Sequence, residues 1–292
     1  MAMDAKPFDR CFQIAAQNQS PLFQVSRLFP QAKRKLFLAA YAAMRLVDDL
    51  VDEHDQDTWS QDPSMAALLH GRVERWQAQA CDAAKGEFQS SADAYEPLVF
   101  TALNHTVGRS NLGEWPWRAL ADAMRADIEK RPLRTWEDFL TYSEGATVAP
   151  AAVFAYILAC RFRAGRYTTP ESIDFYREKV RDMAIFCYLI HILRDLARDV
   201  ARSPQLVTIP EDMLRDAGLD KVLLAQWIHT EPQRIAPLRR LLLDQAKAYR
   251  DRGMDPLMRD ISLPFLEKQI LKKLVHHYTN HCDEMLAHSA KE

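Results

Sequence analysis

Apolar residues in this chain recur every three to four positions over long stretches. Across 31–53, Leu36, Phe37, Ala40, Tyr41, Met44, Val47 and Val51 fall on one stripe of a helix. The same reasoning predicts helices at about 64–84, 94–108, 116–130, 135–162, 170–201, 210–229, 231–252 and 263–288. Pro21 and Pro30 bracket a shorter segment, and 55–63 is polar and turn-like. The prolines punctuate helices rather than mark linkers, and no repeat, low-complexity segment or alternating strand pattern is present. Phe100, Leu103, Trp115, Trp117 and Leu120 are expected in the core. The pattern predicts an all-α protein, and 292 residues allow one large domain or two smaller ones.

Two acidic stretches interrupt this pattern. The first is Arg45-Leu-Val-Asp48-Asp49-Leu-Val-Asp52-Glu53, and the second is His191-Ile-Leu-Arg194-Asp195-Leu-Ala-Arg198-Asp199. Residues four apart share a helix face, so Asp48 pairs with Asp52, and Asp195 with Asp199. Like charges at that spacing cost a helix a few tenths of a kcal/mol. The first stretch also crowds anions towards a helix C-terminus, which the macrodipole disfavours. Either stretch alone reads equally well as a solvated face. Two together, each with an arginine just ahead of its first aspartate, point to divalent cations. Mg²⁺ suits them, being held by one or two carboxylates plus water and substrate phosphate. Zinc would need Cys or His ligands at short spacing, which the two acidic stretches do not supply, and a di-iron bundle would need Glu-x-x-His, which does not occur.

Composition narrows the class. Only 8 glycines in 292 residues, with abundant Ala, Leu, Arg, Glu and Gln, favour helices, and 48% apolar residues allow a substantial core. A formal net charge of −2 gives no reason to expect nucleic acid. Five scattered cysteines suggest neither a disulfide framework nor a zinc site, so a reducing cytoplasm is expected. No secretory signal or bilayer-length apolar run is visible, which is compatible with peripheral contact with a membrane surface. The run Gly145-Ala-Thr-Val-Ala-Pro150-Ala-Ala-Val-Phe154 is unusual. Pro150 should kink a helix, and the small side chains serve either close helix packing or the wall of a long pocket.

The first acidic stretch, preceded by Tyr41-Ala-Ala-Met, resembles the first aspartate-rich motif of the squalene/phytoene synthase family. The second stretch, followed by Val207-Thr-Ile-Pro210-Glu-Asp-Met-Leu214, resembles that family's second motif and downstream loop. The likeness extends from about residue 18 to 216. It implies a single-domain all-α helical bundle over 1–292 with a deep central cavity. It also implies Mg²⁺-dependent head-to-head joining of two isoprenyl diphosphates, C15 or C20, through a cyclopropylcarbinyl diphosphate. The metal residues would be Asp48, Asp52, Asp195 and Asp199, with Asp49 beside them. Arg45 and Arg194 would offer donor forks to phosphate. Tyr41, Tyr188 and His191 would complete the catalytic set, the tyrosines facing a carbocation or simply packing in the core. For His191 the other reading is a hydrogen bond to Asp195 or the backbone. Leu22, Tyr142, Ala146, Thr147 and Ala151 would join the arginines in holding substrate. Glu144 reads either as a ligand-side acid or as a surface residue.

The chain departs from the family pattern in four places. Asn18-Gln19-Ser20-Pro21-Leu22 replaces His/Ser-x-Ser-Phe, and Tyr188 and His191 replace the amides of Gln-x-x-Asn. Thr208 replaces the tyrosine of Tyr-Leu-Pro, and Glu144 to Ala151 alters the Val-Ala-Gly-x-Val-Gly region. These departures leave open a terpene-cyclase-like or first-step-only enzyme, and a non-catalytic isoprenoid-binding protein. No nucleotide motif indicates NADPH, and neither its use nor an oligomeric state follows from the sequence.

Overall fold

The computed structural model describes residues 5–18, 20–52, 63–91, 94–202 and 208–289. The expected turn at 55–63 lies outside them except for Pro63, which opens a helix. Helices in chain order are α1 (Lys6–Asn18), α2 (Pro21–Ser26), α3 (Gln31–Asp52), α4 (Pro63–Lys85), α5 (Pro97–Thr106), α6 (Trp115–Ile128), α7 (Trp136–Ser143), α8 (Ala149–Ala159), α9 (Ile173–Arg202), α10 (Glu211–Asp216), α11 (Lys221–Thr230), α12 (Ala236–Asp255) and α13 (Phe265–Ser289). Their starts follow from local chemistry. Ser20 Oγ accepts from Phe23 N at 3.2 Å, Asp220 caps α11 through Leu223 N at 2.7 Å, and Thr135 and Asp138 form a reciprocal box at α7. α1 adds to the predicted set: Phe8, Cys11 and Ala15 are buried on one face at helical spacing.

One continuous apolar core runs from Phe8 to Cys282. α9 packs along α8 and α12, while α3 packs against α1, α5 and α6. α8 is buried from Ala152 to Ala159. Phe100, Leu103, Trp117 and Leu120 are buried in this core, and Trp115 packs partly buried against it. α13 is pinned across the bundle by Lys33, whose Nζ donates to Leu158 O at 2.7 Å and to Glu267 Oε1 at 2.5 Å. Both charged groups are buried, so each needs the other.

The structure corrects three expectations. No strand is expected from the sequence, yet Arg161–Arg163 (β1) and Arg166–Thr168 (β2) form an antiparallel hairpin, which starts inside the span predicted helical to 162 and fills the gap before 170. Its two turn residues, Ala164 and Gly165, have φ of 48° and 77°, matching the twist of a tight hairpin. The span 210–229 divides into α10 and α11, because Gly218 at φ 72° ends one helix and Asp220 caps the next. The span 135–162 becomes α7, a π-helical turn over Glu144–Val148, and α8. Pro150 explains the last change. It has no N–H for Ala146, and the ladder shifts so that Ala149 N–H reaches Glu144 O, one residue further back than in an α-helix. Pro150 then sits in the first turn of α8, where no donor is needed.

The π turn presses Gly145 onto α6. A Cβ at Gly145 would lie 2.1 Å from Ala119 O and 2.9 Å from Ala123 Cβ. Gly71, inside α4, has nothing within 4 Å of such a Cβ. Gly145→Ala should therefore lower stability by about 1–3 kcal/mol, whereas Gly71→Ala should raise it by about 0.5–1 kcal/mol. Denaturant melts of both variants check this. Equal effects would mean that α6 does not rest on the π turn.

Candidate active site

The C-terminal half of α3 and the C-terminal third of α9 each carry one acidic stretch, and both border the same cavity. This space, of about 350 Å³, is lined by Asp48 and Asp52 from α3, and by Asp195, Arg198 and Asp199 from α9. Asp127 of α6, Tyr142, Ala146, Tyr188, His191 and Thr208 also line it. A second, largely apolar cavity of about 440 Å³ adjoins it. Leu22, Ala146, Thr147, Pro150, Ala151 and Phe154 form one wall, and Leu271, Leu274, Val275 and Tyr278 of α13 form another. A narrower space of about 170 Å³ runs beside α3, past Phe37, Tyr41, Met44 and Arg45. Asp48 and Ala146 border all three, and Tyr188 and His191 border the two larger ones.

Arginines hold the carboxylates in place. Arg45 Nη1 donates to Asp48 Oδ2 at 2.5 Å, and its Nη2 pairs with Asp49. Arg194 grips Asp195 with two bonds of 2.9 and 2.7 Å, and Arg198 reaches Asp195 Oδ2 at 3.0 Å and Asp199 Oδ1 at 3.2 Å. The two stretches differ electrically. Burial, followed by the charge of Asp52, raises the Asp48 carboxyl to about 6. Its side chain remains 39% exposed, into the concave space it borders. The Arg194 bonds hold Asp195 below the usual carboxylate range. Asp49 and Arg194 are not among the residues lining the three cavities; they serve here as partners of Arg45 and Asp195.

One donor beside these carboxylates has no acceptor. Arg45 Nε is buried without a hydrogen-bond partner, which costs free energy unless a ligand oxygen satisfies it. The donor set suits a hard cation, since the converging groups are carboxylate oxygens. Among the described residues, no three His, Cys, Asp or Glu side chains come together closely enough to hold a metal ion alone. Such a site fits a cation that shares its coordination with water and a phosphate-bearing ligand, as Mg²⁺ does.

Aromatic side chains form the boundary between the polar and apolar spaces. Tyr188 stacks on Phe139 at 5.8 Å, with Tyr142 beside it at 6.5 Å. Tyr142 Oη donates to Asp127 Oδ2 at 3.1 Å. Burial raises the phenols of Tyr142 and Tyr188 far above their ordinary value, so both are neutral donors. Tyr188 Oη donates to Thr208 Oγ1 at 3.3 Å, so two of the departures from the family pattern meet each other. Tyr41 stacks on Phe37 at 5.4 Å. His191 Nε2 lies 3.0 Å from Tyr278 Oη, a partner on α13 that the local sequence could not reveal. Burial, followed by the Arg194 charge, lowers His191 to about 4, so its imidazole is neutral near pH 7. Thr147 Oγ1 donates to Ala184 O at 3.3 Å. Glu144 accepts from Arg177 at 2.9 Å and Arg181 at 2.5 Å, and borders none of the three cavities. Sequence reasoning missed Asp127, Arg198 and Tyr278 as lining residues. Asp127 and Tyr278 sit in ordinary amphipathic helices; Arg198 alone carried a signal, one residue before Asp199.

A sequence model described as squalene/phytoene synthase matches residues 16–271. Phytoene synthase 1 (chloroplastic) of Arabidopsis thaliana is 26% identical over 221 residues, covering 75% of this chain and 46% of that protein. The 15-cis-phytoene synthase of Synechocystis sp. is 23% identical over 270 residues, covering 91% of this chain and 74% of that protein. The chain thus spans about half the length of several of the plant relatives it matches. Among solved structures, squalene synthase HpnC from Alicyclobacillus acidocaldarius superposes with a TM-score of 0.72 at 20% identity, covering 97% of this chain and 94% of that one. A dehydrosqualene synthase in complex with ligand gives 0.71 at 17% identity, covering 94% and 83%. These two share the all-α fold. The match across most of the sequence shows that this chain belongs to the squalene/phytoene synthase family.

Proposed function

We propose that the chain joins two isoprenyl diphosphates head to head, with release of diphosphate, in a single catalytic domain. The observation that carries this reading is that both aspartate pairs face one polar cavity that opens beside an apolar one. Ionising a prenyl diphosphate requires charge neutralisation at the head and dryness at the tail, and these two spaces supply that combination. Mg²⁺ held by Asp48, Asp52, Asp195 and Asp199, with water and substrate oxygens, would neutralise the leaving diphosphate.

The protein's own groups do the rest. Arg45 Nε, buried and without a partner, offers a donor to a phosphate oxygen. Arg198, on the cavity wall, offers a second cation. Leu22, Ala146, Ala151, Phe154 and the α13 side chains exclude water from the allylic cation. Tyr188, and Tyr41 in the adjoining space, turn aromatic surface towards the positive charge. Neutral His191, bonded to Tyr278, holds α13 against α9 where the two cavities meet.

Incubation with C10, C15 and C20 diphosphates and Mg²⁺, with and without NADPH, tests the proposal by product mass spectrometry. A C30 or C40 hydrocarbon, or the matching cyclopropylcarbinyl diphosphate, with metal-dependent release of diphosphate is expected. Release of diphosphate with only monomeric alcohols or cyclic products would show another prenyl reaction. No release from any of the three would leave a binding protein.

The unequal electrostatics of the two stretches give a sharper prediction. Asp48→Asn and Asp195→Asn should each lower turnover by roughly 10²-fold or more. Their effects on the metal-free protein should be opposite. Asp48 is raised by burial and by Asp52, so neutralising it removes a strained charge and should raise the melting temperature above pH 6. Asp195 is stabilised by Arg194 and Arg198, so Asp195→Asn should lower the melting temperature. Calorimetry in EDTA beside steady-state kinetics checks both. Matching shifts in the two variants would contradict the assigned environments.

A further inference from the structure

The end of the bundle opposite the aspartates carries an unusual surface. The Lys33 pin brings together the start of α3, the end of α8 and the start of α13. The β1–β2 hairpin follows α8 and is tied to the same place: Tyr167 Oη donates to Ala32 O at 3.0 Å, and the Phe162 ring lies 4.6 Å from the Tyr167 ring. α2 also meets α13, which brings Leu28 to this end. Four large apolar side chains are exposed here: Phe265 at 81%, Leu28 at 51%, Phe162 at 47% and Leu266 at 44%.

The segments that carry them are predominantly basic. Arg27, Arg34, Arg161, Arg163, Arg166 and Lys268 are all exposed. The segments 20–47 and 149–170 contain no acidic residue, and in 261–273 Glu267 is the single one, buried against Lys33. Among the described residues, none of these six basic side chains makes an ion pair. Elsewhere on the protein, basic side chains commonly do, as with Arg10 and Glu96 or Arg250 and Asp283. The overall charge of −2 therefore hides a concentrated positive end.

We propose that this end docks on an anionic lipid bilayer. Apolar side chains flanked by unpaired arginines match a bilayer interface, where rings enter the headgroup region and cations meet lipid phosphates. A nucleic acid would leave the apolar residues without a partner, and a neutral protein face would leave the arginines without one. No described helix is long and apolar enough to cross a membrane, so the attachment is peripheral. The interior has a matching polarity. Asp48 lies fifteen residues along α3 from Lys33, which is about 22 Å of helix. The narrow cavity runs from Asp48 to Phe37 and Ile157, neighbours of the Lys33 pin. A hydrocarbon tail entering from the aspartates would thus point towards the docked surface. That last step rests on the proposed reaction; the docking surface does not.

Flotation of the full chain with vesicles, without substrate, tests the docking and is independent of catalysis. The protein should float with phosphatidylglycerol-containing vesicles at low salt and not with phosphatidylcholine alone. Arg161→Glu/Arg163→Glu/Arg166→Glu should weaken partitioning by roughly fivefold or more per arginine. Phe162→Ser/Phe265→Ser should also weaken it, and Phe265→Ser alone keeps the test open if the pair fails to fold. Val222→Ser, an exposed apolar residue on α11, should bind as wild type does. Failure of the wild type to float would overturn the proposal, as would equal flotation of all variants. So would self-association that Phe265→Ser abolishes while vesicles remain unbound.

Discussion

Four carboxylates from α3 and α9 share one space, and their mutual repulsion is the constraint around which this structure is organised. A fold that brings like charges together must supply compensating charge. Part of it comes from the protein, as Arg45, Arg194 and Arg198 each bind an aspartate of their own stretch. The compensation is uneven. Asp195 is held by two guanidinium groups, whereas Asp48 remains raised to about 6 despite its contact with Arg45. The α3 side thus gains most from an added cation, and the buried Arg45 Nε beside it gains most from an added anion. These complementary needs match the metal–diphosphate unit proposed for the site.

The apolar side depends on a different device. Pro150 would break a regular helix, and the π turn before it absorbs the missing hydrogen bond. That extra residue lets Gly145 lie against the Ala119 carbonyl while Ala146, Thr147, Pro150 and Ala151 border the cavity. Packing and pocket, which the sequence left as alternatives, are two faces of the same segment. α13 forms the opposite wall and is fixed by Lys33–Glu267 at one end and by Tyr278–His191 further along.

The helices that carry the site were legible because α3 and α9 combine long apolar stripes with acidic interruptions at fixed spacing. Leu22, Tyr41, Tyr142, Ala146, Thr147, Ala151, Tyr188 and His191 all border the cavities. Their partners were less visible. Asp127 contacts Tyr142 from α6, and Tyr278 reaches His191 across 87 residues of sequence, so only tertiary packing unites them. The hairpin was missed because Arg-Phe-Arg and Arg-Tyr-Thr are too short to show alternation, and Ala164 gives no sign of adopting positive φ. At Pro150 the sequence shows the absent N–H, and hence a kink, but not the π turn through which the ladder recovers. The meeting of Tyr188 with Thr208 likewise joins two changes that look independent along the chain.

The proposed reaction requires both aspartate pairs to act on one metal–diphosphate unit. Crystals of the full chain grown with Mn²⁺ and an unreactive thiolodiphosphate analogue of a C15 substrate test this through anomalous scattering. Manganese peaks are expected between Asp48/Asp52 and Asp195/Asp199, with the diphosphate bridging them and an oxygen facing Arg45 Nε. Manganese bound only on outer surfaces, or a diphosphate seated away from both pairs, would contradict it.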